Sequence, residues 1–181
     1  MGREIRRVPQ GWEHPRQECK HSPWNGGCEE SKRSDGKCYR PVYDRDFETA
    51  ATEWLAENAK WESGEDSDRA KWEAEEGMRK FYWEWTSTPP EREYYRPKWT
   101  DEERTCLQMY ETVSEGSPVS PVFETADGLI DYLVNNGDFW DQYRGTGGWN
   151  RENAESFVKA GWAPSMMLIP GVGIKEPRDG A

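Results

Sequence analysis

Both histidines and three of the four cysteines of this chain fall within HPRQECKHSPWNGGCEESKRSDGKC, residues 14–38. Cys19-x-His21 opens the pattern, Cys28 and Cys38 follow, and Gly26-Gly27 and Asp35-Gly36 let the backbone turn tightly between them. Thiolate sulfur and imidazole nitrogen are the donors that a structural Zn²⁺ prefers, and a closed tetrahedral site needs four. Residues i and i+2 of an extended segment point to one side, so Cys19 and His21 can bind together. Cys19, His21, Cys28 and Cys38 are therefore the candidate metal ligands. His14, ahead of Pro15, is a substitute ligand or, on its own, a turn residue. Lys20, Lys32, Arg33 and Lys37 favour the thiolate forms. The spacing lacks the paired C-x-x-C knuckles of common zinc modules, which leaves free thiols in a loop, or disulfides, as alternatives.

The remaining chemistry-bearing residues form no constellation. Glu18 and Glu29 flank the cysteines, but nothing in their spacing selects either as a general base. GTGGWN at 145–150 precedes a capped helix yet has neither a P-loop Lys-Ser/Thr nor a strand-borne dinucleotide fingerprint, and reads as a flexible turn. Cys106 sits in a candidate strand with no histidine near it in sequence and reads as a buried structural thiol. Ser114, Ser117 and Ser120 lack the nucleophile-elbow pattern. The expectation is a protein that is not an enzyme.

The elements that must position these residues follow from composition and periodicity. With 181 residues the chain has the size of one domain with a small appended module. Its 33% charged content would suggest disorder, but 11 Trp, 8 Tyr and 5 Phe supply large buriable surfaces. EIRRV at 4–8 is a short strand, and the stretch to Tyr43 is loop-rich. Asp46 caps a helix on which Phe47, Ala50, Ala51, Trp54, Leu55 and Trp61 form one stripe, read as core, and Gly64 ends it. A second helix starts near Ser67, and Phe81–Trp85 is an aromatic knot before the breaker TSTPPEREYYRP. Thr100 and Glu103 make a capping box before the strand CLQMYETV, whose Leu107, Met109 and Val113 alternate. SEGSP turns the chain into PVSPVF, which Pro118 and Pro121 assign to a sheet edge. Thr125 caps a helix to Asn136, Asn150 caps another ended by Gly161, and APSMML is the last strand.

Together these define an α+β fold, helices packed on a small antiparallel sheet with a loop-rich N-terminal Cys/His segment. The expected domains are 1–43, a possible zinc-stabilised module, then 44–169, the α+β body, and 170–181, a loose tail. The formal charge of -11 divides as +3 over residues 1–43, -8 over 44–78 and -6 over 79–181. This opposes a broad phosphate-binding face and suits a basic protein partner, with Glu53, Glu57, Asp66 and Asp68 as candidate partner-binding residues. The plainer role of such a charge run is a solvated helix face. No apolar run spans a bilayer and MGREIRRVPQ lacks a signal-type apolar stretch, so the expectation is a soluble, intracellular protein without membrane contact.

The stretches REIRRVPQGWEHP, YDRDFETAATEW, PPEREYYRPKWT, MYETVSEGSPVSPVFET and GWAPSMM together resemble a family of small uncharacterised proteins of tailed bacteriophages and prophages. The resemblance spans nearly the whole chain and brings no catalytic residues with it. It implies a phage origin and no mechanism; an accessory protein that is acidic, aromatic-rich and without a catalytic constellation is expected to act in the host cytoplasm by binding a host protein. The leading expectation is an anti-CRISPR-like inhibitor of a nucleic-acid-directed defence, whose carboxylates occupy a basic channel. The alternative is a zinc-stabilised nucleic-acid-binding or regulatory protein using Arg6, Arg7, Lys32 and Arg33 on phosphates. The third is a metal-dependent enzyme.

Overall fold

The computed structural model describes residues 2–19, 36–66, 68–69, 81–86, 88–112, 116–164, 166–171, 173–176 and 178. Helices pack on a four-stranded antiparallel sheet of order β7 (Ser117–Pro118), β6 (Cys106–Glu111), β1 (Gly2–Val8), β8 (Trp162–Pro164), so the fold is α+β. β1 is central. It pairs with β6 from Arg3↔Glu111 to Val8↔Cys106, and with β8 from Gly2↔Pro164 to Glu4↔Trp162. The prolines of residues 118 and 121 leave β7 at the edge, as their missing N–H groups require.

The alternation expected along β6 is only half the story. Leu107 and Met109 face the cluster formed by Val119, Leu129, Ile130, Leu133, Trp149, Ala154 and Phe157. Cys106 and Tyr110 are equally buried on the other face, with Val8 and the rings of Trp12 and Trp99. A central strand covered on both sides has no solvent face to leave polar. Two helices on the Met109 side start where their caps predict. Thr125 Oγ1 accepts from the Gly128 amide at 3.1 Å ahead of the helix Ala126–Asn136, and Asn150 Oδ1 accepts from the Glu152 amide at 2.8 Å ahead of Arg151–Ala160.

Between them lies a helix that the sequence reading missed, Phe139–Arg144. Asp138 and Asp141 cap it reciprocally: Asp138 Oδ1 accepts from the Asp141 amide at 2.9 Å, and Asp141 Oδ2 accepts from the Asp138 amide at 3.1 Å. GTGGWN is not a flexible turn. A Cβ at Gly148 would collide with the Val134 carbonyl, the Trp149 amide donates to Leu133 O at 2.9 Å, and the Trp149 indole donates to Asp141 Oδ2 at 2.6 Å. In order along the chain these three helices are α3 (Ala126–Asn136), α4 (Phe139–Arg144) and α5 (Arg151–Ala160).

The domain division also differs from expectation. One compact unit joins residues 1–42 to 99–181, and residues 43–98 form a second. The N-terminal segment is thus no appendage, because β1 is the middle of the main sheet. Two described residues of the expected loose tail are held: Arg178 Nη1 donates to Asp141 Oδ1 at 3.0 Å, and Arg144 donates to both carboxylate oxygens of Glu176 at 3.1 Å.

In the second unit β4 (Tyr43–Asp46) and β5 (Tyr95–Arg96) run parallel, and α1 (Phe47–Ser63) follows β4 directly. Asp46 Oδ1 accepts from the Thr49 amide at 3.0 Å, and Gly64, at φ 79°, closes the helix with its amide on Lys60 O and Trp61 O. Of the expected stripe only Ala50 and Trp61 are buried; Phe47, Ala51 and Trp54 are half-buried, and Leu55 is 61% exposed. Leu55 therefore does not belong to the core. The expected helix from Ser67 lies largely outside the described residues. Phe81–Trp85 forms the single turn α2 (Tyr82–Trp85), which packs on α1 through Tyr82, against Trp54 and Trp61, and through Trp85, stacked on Trp61.

Candidate functional site

Of the four expected metal ligands, His21 and Cys28 lie outside the described residues. Cys19 and Cys38 are placed by a short antiparallel ladder, β2 (Arg16–Glu18) against β3 (Lys37–Tyr39), in which Gln17 faces Cys38. The Cys19 amide continues that ladder onto Gly36 O at 3.2 Å. Cys19 is two residues beyond Gln17, so both cysteines sit on the same face at the neck of the segment that joins the strands. Cys38 is buried and Cys19 half-buried. Among the described residues no group of three or more His, Cys, Asp or Glu side chains is placed to hold a metal. Zinc at this neck thus requires the two ligands that only the sequence supplies.

His14 is neither a turn residue nor aimed at the cysteines. It is buried on the Tyr110 face of β6, with Tyr39 edge-on at 5.4 Å and Trp12 edge-on at 6.1 Å. Its Nε2 lies 2.7 Å from Arg40 O, a carbonyl that can only accept, so the imidazole carries its proton there. Its Nδ1 lies 3.3 Å from the Tyr110 hydroxyl, which donates to Gln108 Oε1 at 2.8 Å and accepts from the Trp12 indole at 3.1 Å. Gln108 Nε2 in turn donates to Ser120 O at 3.0 Å. The Arg6 guanidinium lies 4.4 Å over the Tyr110 ring and donates to Val42 O. Burial away from water pushes His14 down to about 4, Arg40 O partly opposes this, and the Arg6 charge adds to it.

This network floors an open cleft of about 720 Å³, walled by Trp12, Tyr39, Tyr132 and Phe139. The amides, hydroxyls and ring nitrogens of the network are bonded to one another, and the cleft lining mixes aromatic and proline surface with Glu13, Arg16 and Gln142. No local sequence signal marks this assembly, because its members come from residues 6–14, 39–42, 108–122 and 132–139.

A second buried polar group holds α4 in place. Arg3 Nε meets Asp138 Oδ2 at 2.5 Å, both nearly excluded from solvent. Burial raises the Asp138 carboxyl, against the pull of Arg3. Burial also acts to raise Asp141, but bonds from Trp149, the Asp138 amide, Arg178 and Thr146 outweigh it and hold that carboxyl below its ordinary range. Two adjacent buried aspartates can suggest acid–base chemistry; here each is spent on capping and ion pairing.

The four candidate partner-binding carboxylates are not equivalent. Glu53 and Glu57 stand one turn apart on α1, Glu53 exposed and Glu57 partly so, the first accepting from Arg45 at 2.5 Å and the second from Lys60 at 2.7 Å. Asp66 and Asp68 are half-buried, and Asp66 Oδ1 accepts from the Asp68 amide at 2.8 Å, which makes it part of a turn. The sequence reading missed two other features of this unit. Phe81 and Trp83 stack face to face, 4.2 Å between ring centres and 6° from parallel, and both remain about half exposed. Arg92 lies 4.3 Å over the Phe47 ring while paired with Glu48.

Comparison with known protein families, with characterised proteins and with solved structures finds no match. No helix among the described residues is long and apolar enough to cross a membrane.

Proposed function

We propose that the protein is a non-catalytic binding protein, a bacteriophage accessory factor that docks on a basic host protein, as an anti-CRISPR-like inhibitor of a nucleic-acid-directed defence would. The observation that carries this reading is the stacked Phe81–Trp83 pair, about half exposed in the same unit as the carboxylates of the exposed Glu53 and the partly exposed Glu57. Large rigid aromatics supply contact area at small entropic cost, while carboxylates of the same unit steer a cationic partner and reject nucleic acid. The paired Arg45 and Lys60 are exposed and can exchange their carboxylates for a partner's cations at little cost. The test is capture from nuclease-treated host lysate. The chain is expected to retain a basic protein that Trp83→Ala, or Glu53→Lys with Glu57→Lys, releases at least about tenfold more readily. Retention unchanged in both variants overturns the assignment of this surface.

The alternative, a zinc-stabilised nucleic-acid-binding protein, draws on one observation, the common face of Cys19 and Cys38 at the neck of the Cys/His segment. On that reading protein purified without added metal carries close to one equivalent of zinc, and Cys38→Ser lowers it. Less than about a tenth of an equivalent sinks the zinc assignment.

A further inference from the structure

The cleft floored by the His14, Tyr110 and Gln108 network carries on one wall a hydrogen-bonding pair that the network does not use. Gln142 Nε2 donates to the Tyr132 hydroxyl at 2.7 Å and to Gly137 O at 3.3 Å. A backbone carbonyl only accepts, so the Gln142 amide nitrogen is fixed on these two oxygens and Oε1 remains as an acceptor. The Tyr132 hydroxyl takes the bond from Gln142 and keeps its own proton to give, and burial raises the phenol above its ordinary pKa. Among the described residues neither the Tyr132 proton nor Gln142 Oε1 has a protein partner. One donor and one acceptor therefore stand side by side, on two bonded side chains that both line the cleft.

The rest of the lining narrows what such a pair can receive. Trp12, Tyr39 and Phe139 join Tyr132 as aromatic walls, which take a flat ring by stacking or edge contact. The volume, about 720 Å³, lies in the range of small-molecule sites. The charged residues of the lining are Glu13 and Arg16, one of each sign, and Arg16 Nη2 donates to Lys37 O at 3.0 Å. In a chain of net charge -11 this leaves no cationic excess for a phosphate. The complement is a flat, uncharged ring with an acceptor and an N–H on neighbouring positions, the acceptor taking the Tyr132 proton and the N–H going to Gln142 Oε1. Every nucleobase presents such a neighbouring donor and acceptor on its pairing edge.

We infer that this cleft binds a nucleobase, free or as its nucleoside, with the pairing edge across Tyr132 and Gln142 and the ring against the aromatic walls. All the residues involved belong to the unit of residues 1–42 and 99–181, so the inference does not depend on the Phe81–Trp83 surface of the other unit.

Isothermal titration calorimetry of the full chain with the four ribonucleosides tests the site. At least one is expected to bind with a dissociation constant below about 1 mM. The analogue of that nucleoside with its edge N–H methylated, 3-methyluridine for uridine or N6,N6-dimethyladenosine for adenosine, should bind at least about tenfold more weakly. Tyr132→Phe and Gln142→Ala should weaken the parent nucleoside by a similar factor. Tyr143→Phe, next to Gln142 but outside the lining, should leave the constant unchanged, and the 5′-monophosphate should bind no more tightly than the nucleoside. Tyr132→Phe keeps the ring and Gln142 is exposed, so both substitutions spare the fold, which an unaltered far-ultraviolet spectrum checks. No heat from any nucleoside up to about 10 mM overturns the proposal. So does binding that neither the methylated analogue nor the two variants weaken, because the walls then hold the ligand without reading its edge. A monophosphate at least about tenfold tighter than its nucleoside overturns it in favour of an anion site.

Discussion

The unit built from residues 1–42 and 99–181 and the unit of residues 43–98 use the same residue types in opposite ways. In the first, a set of charged and aromatic side chains is turned inward: Arg3, Arg6, His14, Asp138 and Asp141 are buried, and Tyr110 and Trp149 hydrogen-bond inside the fold. In the second, among the described residues only Ala50 and Trp61 are buried, while Phe81 and Trp83 stack in the open and arginines pair with carboxylates at the surface. Inward polar networks raise the cost of any change and specify one arrangement. Outward ones are cheap to rearrange. The contrast teaches that a high charged and aromatic content alone does not say whether a segment turns those side chains inward or leaves them at the surface.

Substitutions in the two units can break or sharpen that contrast. Asp138→Ala strands the buried Arg3 guanidinium and removes the cap of α4, so it should cost about 3–5 kcal/mol in urea unfolding. Trp61→Ala removes the main buried side chain of the second unit and should cost about 3 kcal/mol, near the low end for large aromatics. Hydrogen exchange should then show lost protection confined to residues 43–98. If Trp61→Ala also collapses protection along β1 and β6, the two units do not differ as described.

His14 gives the smaller, pH-dependent effect. Unfolded, it titrates near 6.5; folded, it is held to about 4, so it stays neutral down to much lower pH. Its contribution is complete above the unfolded value and is lost as the pH falls towards 4, because the unfolded chain takes up the proton first. Between pH 7 and pH 5 the wild-type chain should lose about 2 kcal/mol from this source. His14→Phe should flatten that part of the profile. A wild-type profile already flat over this range would remove His14 from the buried network.

Local features were legible in the sequence wherever they rest on neighbouring residues. Asp46, Thr125, Asn150 and the Thr100–Glu103 box cap as expected, and Gly64 and Gly161 end their helices in the left-handed conformation. What stayed hidden depends on contacts distant along the chain. Nothing near EIRRV announces that it lies between residues 106–111 and 162–164. Cys106 is the buried thiol expected of it, whereas the burial of Tyr110 on the same face was masked by the alternation of Leu107 and Met109. α4 escaped because it is short and its box closes with Asp141 instead of Glu or Gln. His14 was drawn towards the cysteines by proximity in sequence, whereas the rings that bury it include Tyr110.

The parallel pairing of β4 with β5 sets Tyr43 beside Tyr95, so the second unit begins and nearly ends at adjacent points. A segment whose ends meet makes only a short detour for the chain that carries it, and the host loop closes over almost no distance whatever lies between. In terms of chain connectivity residues 43–98 are an excursion whose entry and exit coincide, and lengthening or shortening them between Asp46 and Tyr95 changes the closure entropy of the flanking chain only weakly.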